Sequence, residues 1–317
     1  MYKLILDLDT GIDDTLAIAY ALGSPEVELI GITGTYGNVT LEQGVHNDLA
    51  VTDLFGHKEV PAFPGLPHAS TKDSFEVLPV SAFIHGDNGV GEAEIAPSPR
   101  QPEEENGVDF IIRAAHTYGK DLIYVATGPM TNIAAAFERD PSIINEIGNI
   151  VIMGGALTVS GNVAPWREAN ISQDPEAADA LFRSGAQVTM VGLDVTLQTL
   201  LTTKETQQWR DLHTKAGDFL ADMTDYYIRA YAKTAPQLGG CGLHDPLAVA
   251  VAIDPSLITT LGVNLKVDLE EPTRGRTIGD KDRLNDPVKT TQVAVGVDKD
   301  RFLQEFMGRI SGLAASC

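Results

Sequence analysis

The chain has 317 residues, 43% of them apolar, and carries 23 Lys and Arg against 44 Asp and Glu, a formal net charge of −21. That length suits one large α/β domain or two smaller ones with a substantial core, and so acidic a chain with no Lys/Arg-rich run repels phosphate backbones and anionic bilayers, which argues against nucleic-acid and membrane partners. Two cysteines, Cys241 and Cys317, exclude a disulfide framework and a thiolate zinc site.

No apolar run nears the roughly 20 residues that span a bilayer. Asp7 comes too early for a signal peptide, so the expectation is a cytoplasmic protein facing a small molecule. In chain order, residues 3–8 read as a strand, 14–22 as a helix, 27–33 as a strand and 41–55 as a helix. The stretch 64–102, rich in Pro, Gly and Ser, breaks the rhythm and reads as a functional lid or a disordered loop. The alternation resumes with a helix at 108–118, a strand at 122–126, a helix at 132–139 and a strand at 150–153. An irregular stretch, 157–173, precedes a helix at 175–184 and a strand at 188–193. Helical segments follow over about 204–233, then a final helix from Asp245. Residues 263–268, 273–279 and 291–297 form a small antiparallel addition near the C-terminus.

Ile, Val and Leu at both alternating positions suit strands buried on two faces. Strand–helix alternation implies right-handed βαβ crossovers. The fold expected is therefore α/β: an open, mostly parallel sheet flanked by helices, a Rossmann-like core. No composition shift marks a linker, so one domain over 1–317 is the simplest account.

The first strand runs into Asp7-Leu8-Asp9-Thr10-Gly11-Ile12-Asp13-Asp14. Four carboxylates within eight residues repel one another, and gathering them is costly unless a cation neutralises them. In open α/β sheets, ligands bind beyond the carboxyl ends of the strands. A period of two puts Asp7 and Asp9 on one face. Gly11 then turns Asp13 and Asp14 into the start of a helix, where the dipole favours carboxylates. Oxygen ligands without Cys or paired His point to Ca²⁺ or Mg²⁺ rather than zinc, and the EF-hand spacing does not fit. Asp13 or Asp14 alone reads as a cap; the four together do not.

Later strand ends repeat the theme more weakly. Thr127-Gly128-Pro129-Met130-Thr131-Asn132 could offer a backbone carbonyl from a fixed turn, although alone it reads as a turn and cap. Glu168-Ala169-Asn170, after Asn162, offers groups suited to sugar hydroxyls and fits a polar surface loop equally well. His244-Asp245-Pro246 opens an apolar helix, where Asp is commonly a cap.

Taken together, these residues resemble the nucleoside N-ribohydrolases, in the branch preferring inosine and uridine or pyrimidine nucleosides. The opening Asp-x-Asp-x-Gly-x-Asp-Asp is followed in order by Gly37-Asn38, His85-Gly86 with Gly89, Thr127-Gly128 with Thr131-Asn132, and Met153-Gly154-Gly155. Glu168-x-Asn170, Asp174-Pro175-Glu176-Ala177, Val191-Gly192-Leu193-Asp194 and His244-Asp245-Pro246 complete the set. The resemblance implies a Ca²⁺ site made by Asp9, Asp14, the carbonyl of Thr127 and Asp245, with Asp9 also the general base. It implies that Asp13, Asn162, Glu168 and Asn170 hold the ribose, with Asn38 nearby and Met153 packing at the sugar. His244, Tyr227 and Tyr231 would face the nucleobase, and His85 would belong to a mobile loop over the site. A homodimer or homotetramer is inherited from the same resemblance.

Two positions depart from the family pattern. Thr10 stands where Pro is usual, and Phe83 where a second loop His is often found. His244 is retained, which resembles members that accept inosine, uridine and cytidine.

The chemistry implied is Ca²⁺-dependent hydrolysis of the N-glycosidic bond to ribose and free base, as in nucleoside salvage. Ca²⁺ takes about 6–8 oxygen ligands, so four protein groups leave room for a water and the vicinal ribose hydroxyls, and that positioning lowers the barrier. Asp9 would take a proton from that water. Direct attack at C1′ inverts it, by analogy with inverting glycosidases. His244, with an ordinary pKa near neutrality, would protonate the leaving base. Two other readings stay open at this level: a Mg²⁺-dependent phosphatase of the haloacid-dehalogenase type with Asp7 as nucleophile, and a non-catalytic nucleoside-binding protein on the same fold.

Overall fold

The apolar runs become strands and the amphipathic segments between them become helices. In the computed structural model, which describes residues 1–317, β1 (Tyr2–Leu8), α1 (Ile12–Leu22), β2 (Val27–Gly34), α2 (Leu41–Leu54), β3 (Ala62–Pro64) and α3 (Pro79–His85) come first. Next are α4 (Gly107–Tyr118), β4 (Leu122–Ala126), α5 (Thr131–Arg139), β5 (Asn149–Met153), α6 (Ala169–Gln173), α7 (Pro175–Arg183), β6 (Val188–Val191) and α8 (Leu193–Thr196). The chain continues through β7 (Leu200–Leu201), α9 (Thr203–Arg210), α10 (Lys215–Thr234), β8 (Cys241–Gly242) and α11 (His244–Ile253). It ends with β9 (Ile258–Val263), β10 (Leu265–Val267), β11 (Thr277–Gly279), β12 (Thr291–Val297) and α12 (Lys299–Ala314).

One eight-stranded sheet runs in the order β3-β2-β1-β4-β5-β6-β12-β9, parallel except that β9 is antiparallel to β12. The period of two separates two cores. Leu4, Leu6 and Leu8 of β1, with Val151 and Met153 of β5, pack with α1, α10, α11 and α12. Ile5, Tyr124, Ile150 and Ile152 face the other way, onto α4, α5 and α7. α11 is buried from His244 to Ala252; it is apolar all round because it lies between the sheet and α1 and α12. No helix is long and apolar enough to cross a membrane.

The structure amends several boundaries. The stretch 64–102 is not wholly irregular, since α3 lies within it, and 157–173 closes in the short α6. The helical segment at 204–233 is two helices, α9 and α10, divided by the turn at His213, whose φ of 54° lies in the left-handed region. α11 is not the last helix, because α12 follows. Only β10 and β11 form the expected antiparallel addition. Residues 291–297 instead join the main sheet beside β6, and β9, unforeseen, closes its edge.

Candidate active site

The site lies beyond the carboxyl ends of β1, β4 and β5, where the N-termini of α1 and α11 meet. α1 starts without a side-chain cap: the Gly11 N–H donates to Asp14 Oδ2 at 2.9 Å. Close packing there needs glycine. A Cβ at Gly37, with φ of 154°, would sit 2.0 Å from Asp9 Oδ2, and one at Gly128 would sit 3.2 Å from Asp9 Oδ1.

Asp9, Asp13, Asp14 and Asp245 are all buried. Asp13, Asp14 and Asp245 each bring an oxygen to within 4.8 Å of the others. Asp9 stands outside that mutual group, yet the charges of Asp14 and Asp13 act on it. So Asp13, expected at the ribose, shares the acidic group, and Asp9 borders it. Asp9 Oδ2 accepts from the Asn38 N–H at 2.7 Å. Asp14 accepts from the Thr127 hydroxyl at 2.6 Å and the Asn38 amide at 3.2 Å. Asp9 Oδ1 and Asp13 Oδ1 have no partner at all.

Burial pushes every one of these carboxyls up. Asp13 rises to about 7, with the Asp14 charge adding to desolvation. Asp9 and Asp245 rise well above the usual range for the same two reasons, burial first and neighbouring carboxylates second. Asp13 and Asp245 oxygens lie within 4.8 Å of each other, so the two cannot both carry a charge there without strong repulsion. Unpartnered hard oxygens, buried together and held neutral only by protons, are the donor set a divalent cation fits. The set has no nitrogen or sulfur donor for a softer metal.

Asp7 is not part of this cluster. It points to the other core, where Tyr124 donates to Oδ2 and the Asn132 amide to Oδ1 at 2.8 Å; burial raises its carboxyl to about 6. A carboxyl so held cannot serve as a phosphatase nucleophile facing the cleft.

On the far side, the Asn170 amide donates to the Thr127 carbonyl at 2.5 Å and to the Met153 carbonyl at 3.1 Å. Glu168 caps α6, taking the N–H groups of Asn170 at 2.8 Å, Gly155 at 2.9 Å and Ile171 at 3.1 Å. Asn162 is exposed and accepts from the Ala169 N–H at 3.0 Å. Asn170 therefore meets the carbonyl of Thr127, the backbone oxygen expected at the cation, whereas Glu168 and Asn162 hold the loop's own backbone.

The aromatic wall comes from α10. Tyr227 donates to Asp13 Oδ2 at 3.2 Å and meets Tyr231 edge-on with 4.8 Å between centroids. The Tyr231 hydroxyl lies 2.6 Å from His244 Nε2, and Thr196 Oγ1 lies 2.7 Å from His244 Nδ1. Burial pushes His244 down to about 4, so it is neutral at pH 7, below the near-neutral value expected from the sequence. His85 is not in a loop: it ends α3, is buried, accepts from the Ile12 N–H at 3.1 Å, and lies 3.9 Å from Asp13 Oδ1. Burial holds it near 3.

Sequence reasoning missed Thr196 and Tyr124, and read Asn132 as part of a turn and cap rather than as a partner of Asp7. Each acts from an element distant in the chain, and nothing local distinguishes it. It also missed Asp48, which donor and acceptor counting along α2 could have found, since Asn47 and Asp48 interrupt its buried stripe.

Residues 4–304 match the family model described as inosine-uridine preferring nucleoside hydrolase. A solved structure titled purine-preferring ribonucleoside hydrolase from Gardnerella vaginalis superposes with a TM-score of 0.99 at 75% identity, covering 99% of this chain and 100% of that one. The inosine-uridine preferring nucleoside hydrolase of Leishmania major is 37% identical over 303 residues, 95% of this chain and 94% of the relative. A probable uridine nucleosidase 2 of Arabidopsis thaliana is 35% identical over 315 residues, 97% of each chain.

Proposed function

The chain belongs to the inosine-uridine preferring nucleoside hydrolase family, enzymes that hydrolyse the N-glycosidic bond of ribonucleosides, and from that premise we propose a Ca²⁺-dependent hydrolase with a preference for purine ribonucleosides. The preference rests on 75% identity to a purine-preferring ribonucleoside hydrolase. It departs from the wider base range that His244 suggests by resemblance. The observation that carries the cation is the pair of buried, unpartnered oxygens, Asp9 Oδ1 and Asp13 Oδ1.

Asp9, Asp14, Asp245 and the Thr127 carbonyl would hold Ca²⁺, with Asp13 beside them in the group it shares with Asp14 and Asp245. When bound, the ion supplies Lewis-acid activation of water and an anchor for vicinal hydroxyls. Asp9 Oδ1 takes the proton of the attacking water, since it alone of that residue's oxygens is free to do so. Asn170, Asn38 and Asp13 position the ribose, with Asn162 and Glu168 setting the loop that carries Asn170 and Met153 lying beneath the sugar. Tyr227, Tyr231 and His85 wall the base. His244 is buried and neutral, with both ring nitrogens engaged by Tyr231 and Thr196, so it aids departure by setting the Tyr231 hydroxyl to donate a hydrogen bond to the leaving base, rather than as an imidazolium. Attack from the face opposite the base inverts C1′.

The physiological setting proposed is nucleoside salvage in the cytoplasm, with residues 1–317 working as one catalytic domain in a homodimer or homotetramer. Sedimentation of the purified chain tests the assembly. The deciding experiment is release of free ribose from inosine, adenosine, guanosine, uridine and cytidine, with and without a chelator. Purine nucleosides should have the highest kcat/KM, and chelation should abolish turnover until Ca²⁺ is restored. Chelator-resistant turnover sinks the cation assignment; faster uridine or cytidine cleavage sinks the base preference.

A further inference from the structure

Asp48 lies within α2, at a place where helix packing calls for no charge. It is wholly buried. Its Oδ1 accepts from the Thr10 hydroxyl, and its Oδ2 has no partner. Asn47, the residue before it, donates to the Thr10 carbonyl at 3.2 Å and to the Asn88 carbonyl at 3.0 Å. Gln43 holds the Asn47 side chain in turn, at 2.9 Å. One turn of α2 therefore grips Thr10 by side chain and main chain. The contact is close, since a Cβ at Gly44 would come 3.5 Å from Thr10 N and 3.8 Å from the Asp9 carbonyl carbon.

A carboxyl with a single hydrogen bond and no solvent is destabilising in itself, and an apolar side chain there would cost less. Asp14 and Asp7 add repulsion. What the carboxyl does is fix one residue, and that residue is the link between Asp9 and the α1 N-terminus bearing Asp13 and Asp14. We propose that Asp48 is a positioning residue for the divalent-cation cradle: through the Thr10 hydroxyl it locks the β1–α1 turn so that the carboxyls on its two sides face a common point. This rests on the reading of the acidic group as a cation cradle. Groups that orient metal ligands from behind typically change affinity by about 10–100-fold when removed.

The test is Ca²⁺ binding to the full-length, metal-stripped protein by titration calorimetry, beside thermal unfolding of the same samples. Asp48→Ala and Thr10→Val should each weaken Ca²⁺ binding by roughly 10–100-fold. The double variant should lose no more than either single one, because one bond is broken once. Asp48→Asn keeps an acceptor oxygen for Thr10, and Thr10→Ser keeps the hydroxyl; both should bind like the parent. Thr10→Val conserves volume, so it and its Ser control carry the test if Asp48→Ala does not fold. A lowered unfolding temperature with unchanged Ca²⁺ affinity in Thr10→Val overturns the proposal, as does additive loss in the double variant. Asp14→Asn separates the two levels. If it binds Ca²⁺ like the parent, the cradle reading itself fails; if it loses Ca²⁺ while Asp48→Ala and Thr10→Val keep it, only the positioning role fails.

Discussion

Two acidic regions of this molecule use the same residue types to opposite ends. Around the 157–173 loop, the buried carboxylates Glu168 and Asp194 are saturated by N–H and hydroxyl donors. Asp194 accepts the Leu157 N–H at 2.9 Å together with the Thr158 N–H and hydroxyl, each at 2.6 Å. Glu168 takes three N–H groups in the same way. At the β1–α1 turn, Asp9 and Asp13 each keep an oxygen that nothing in the chain satisfies. Saturated carboxylates hold a loop in place; unsatisfied ones, gathered against their own repulsion, are arranged for something the chain does not contain. Partners and gathering count together: Asp48 also keeps an unpartnered oxygen but lies outside the group of Asp13, Asp14 and Asp245, and Asp14 belongs to that group although donors meet both of its oxygens.

The sharpest way to break that contrast is to remove one member from each side. Asp9→Asn preserves shape and the bond from Asn38 while removing the base. It should lower kcat on inosine by about 10²–10⁴-fold with little change in unfolding temperature; turnover near the parent's would end the assignment of Asp9 as base. Asp194→Ala should do the reverse. Stranding two N–H groups and a hydroxyl should cost about 2–4 kcal/mol of stability, measured by denaturant unfolding, with Ca²⁺ affinity left near the parent's. A large Ca²⁺ defect and unchanged stability would erase the distinction between the two regions.

The sequence made one of these regions far more legible than the other. Asp9, Asp13 and Asp14 sit within six residues, and adjacency alone shows a concentration of charge. The parallel sheet was equally readable, because its strands are apolar on both faces. Less was visible where function depends on residues meeting across the chain. Asp7 looked like part of the cluster until Tyr124 and Asn132, 117 and 125 positions away, bound it in the opposite core. His244 looked like a residue titrating near neutrality, but its surroundings are set by α8 and α10, and burial moves it to about 4. β9 is a half-exposed edge strand and β12 beside it is also partly exposed, both with weak apolar patterning, so their partners could not be inferred. The family resemblance supplied roles that neither spacing nor periodicity contains.

Acidity offers a gentler probe of the same contrast in the metal-stripped protein. Asp7 and Asp13 have folded-state values of about 6 and 7, raised by burial from an ordinary 3.8. The folded state therefore binds more protons than the unfolded one between those limits, and their contribution is present below about pH 4 and lost as pH rises toward 7. His85 and His244, lowered to about 3 and about 4 from 6.5, act oppositely, with stability lost as pH falls through 6.5 toward those values. Asp9, Asp14 and Asp245 are raised in the same direction as Asp7 and Asp13, so the raised carboxyls outnumber the two lowered histidines. Unfolding of the stripped protein should thus become easier between pH 6.5 and 7.5, and added Ca²⁺ should restore about 2.7 kcal/mol at a hundredfold excess over Kd. A stripped protein that grows more stable across that interval, or is indifferent to Ca²⁺, would place the cluster with the saturated region.

The smallest expected effect tests whether the aromatic wall belongs to the chemistry or to the scaffold. Tyr231 is half-buried and its hydroxyl meets His244 Nε2 at 2.6 Å, while Thr196 occupies the other ring nitrogen. Tyr231→Phe keeps the ring contact with Tyr227 and removes one neutral hydrogen bond, about 0.5–1.5 kcal/mol. If the Tyr231 hydroxyl, set by His244, donates to the departing base, the loss should fall on kcat for inosine, up to roughly tenfold, and spare p-nitrophenyl riboside, whose leaving group needs no proton. Equal losses on the two substrates would mean that the hydroxyl only orients His244. In that case the Thr196–His244–Tyr231 chain belongs with Asp194 and Glu168 among the groups that hold the site rather than act in it.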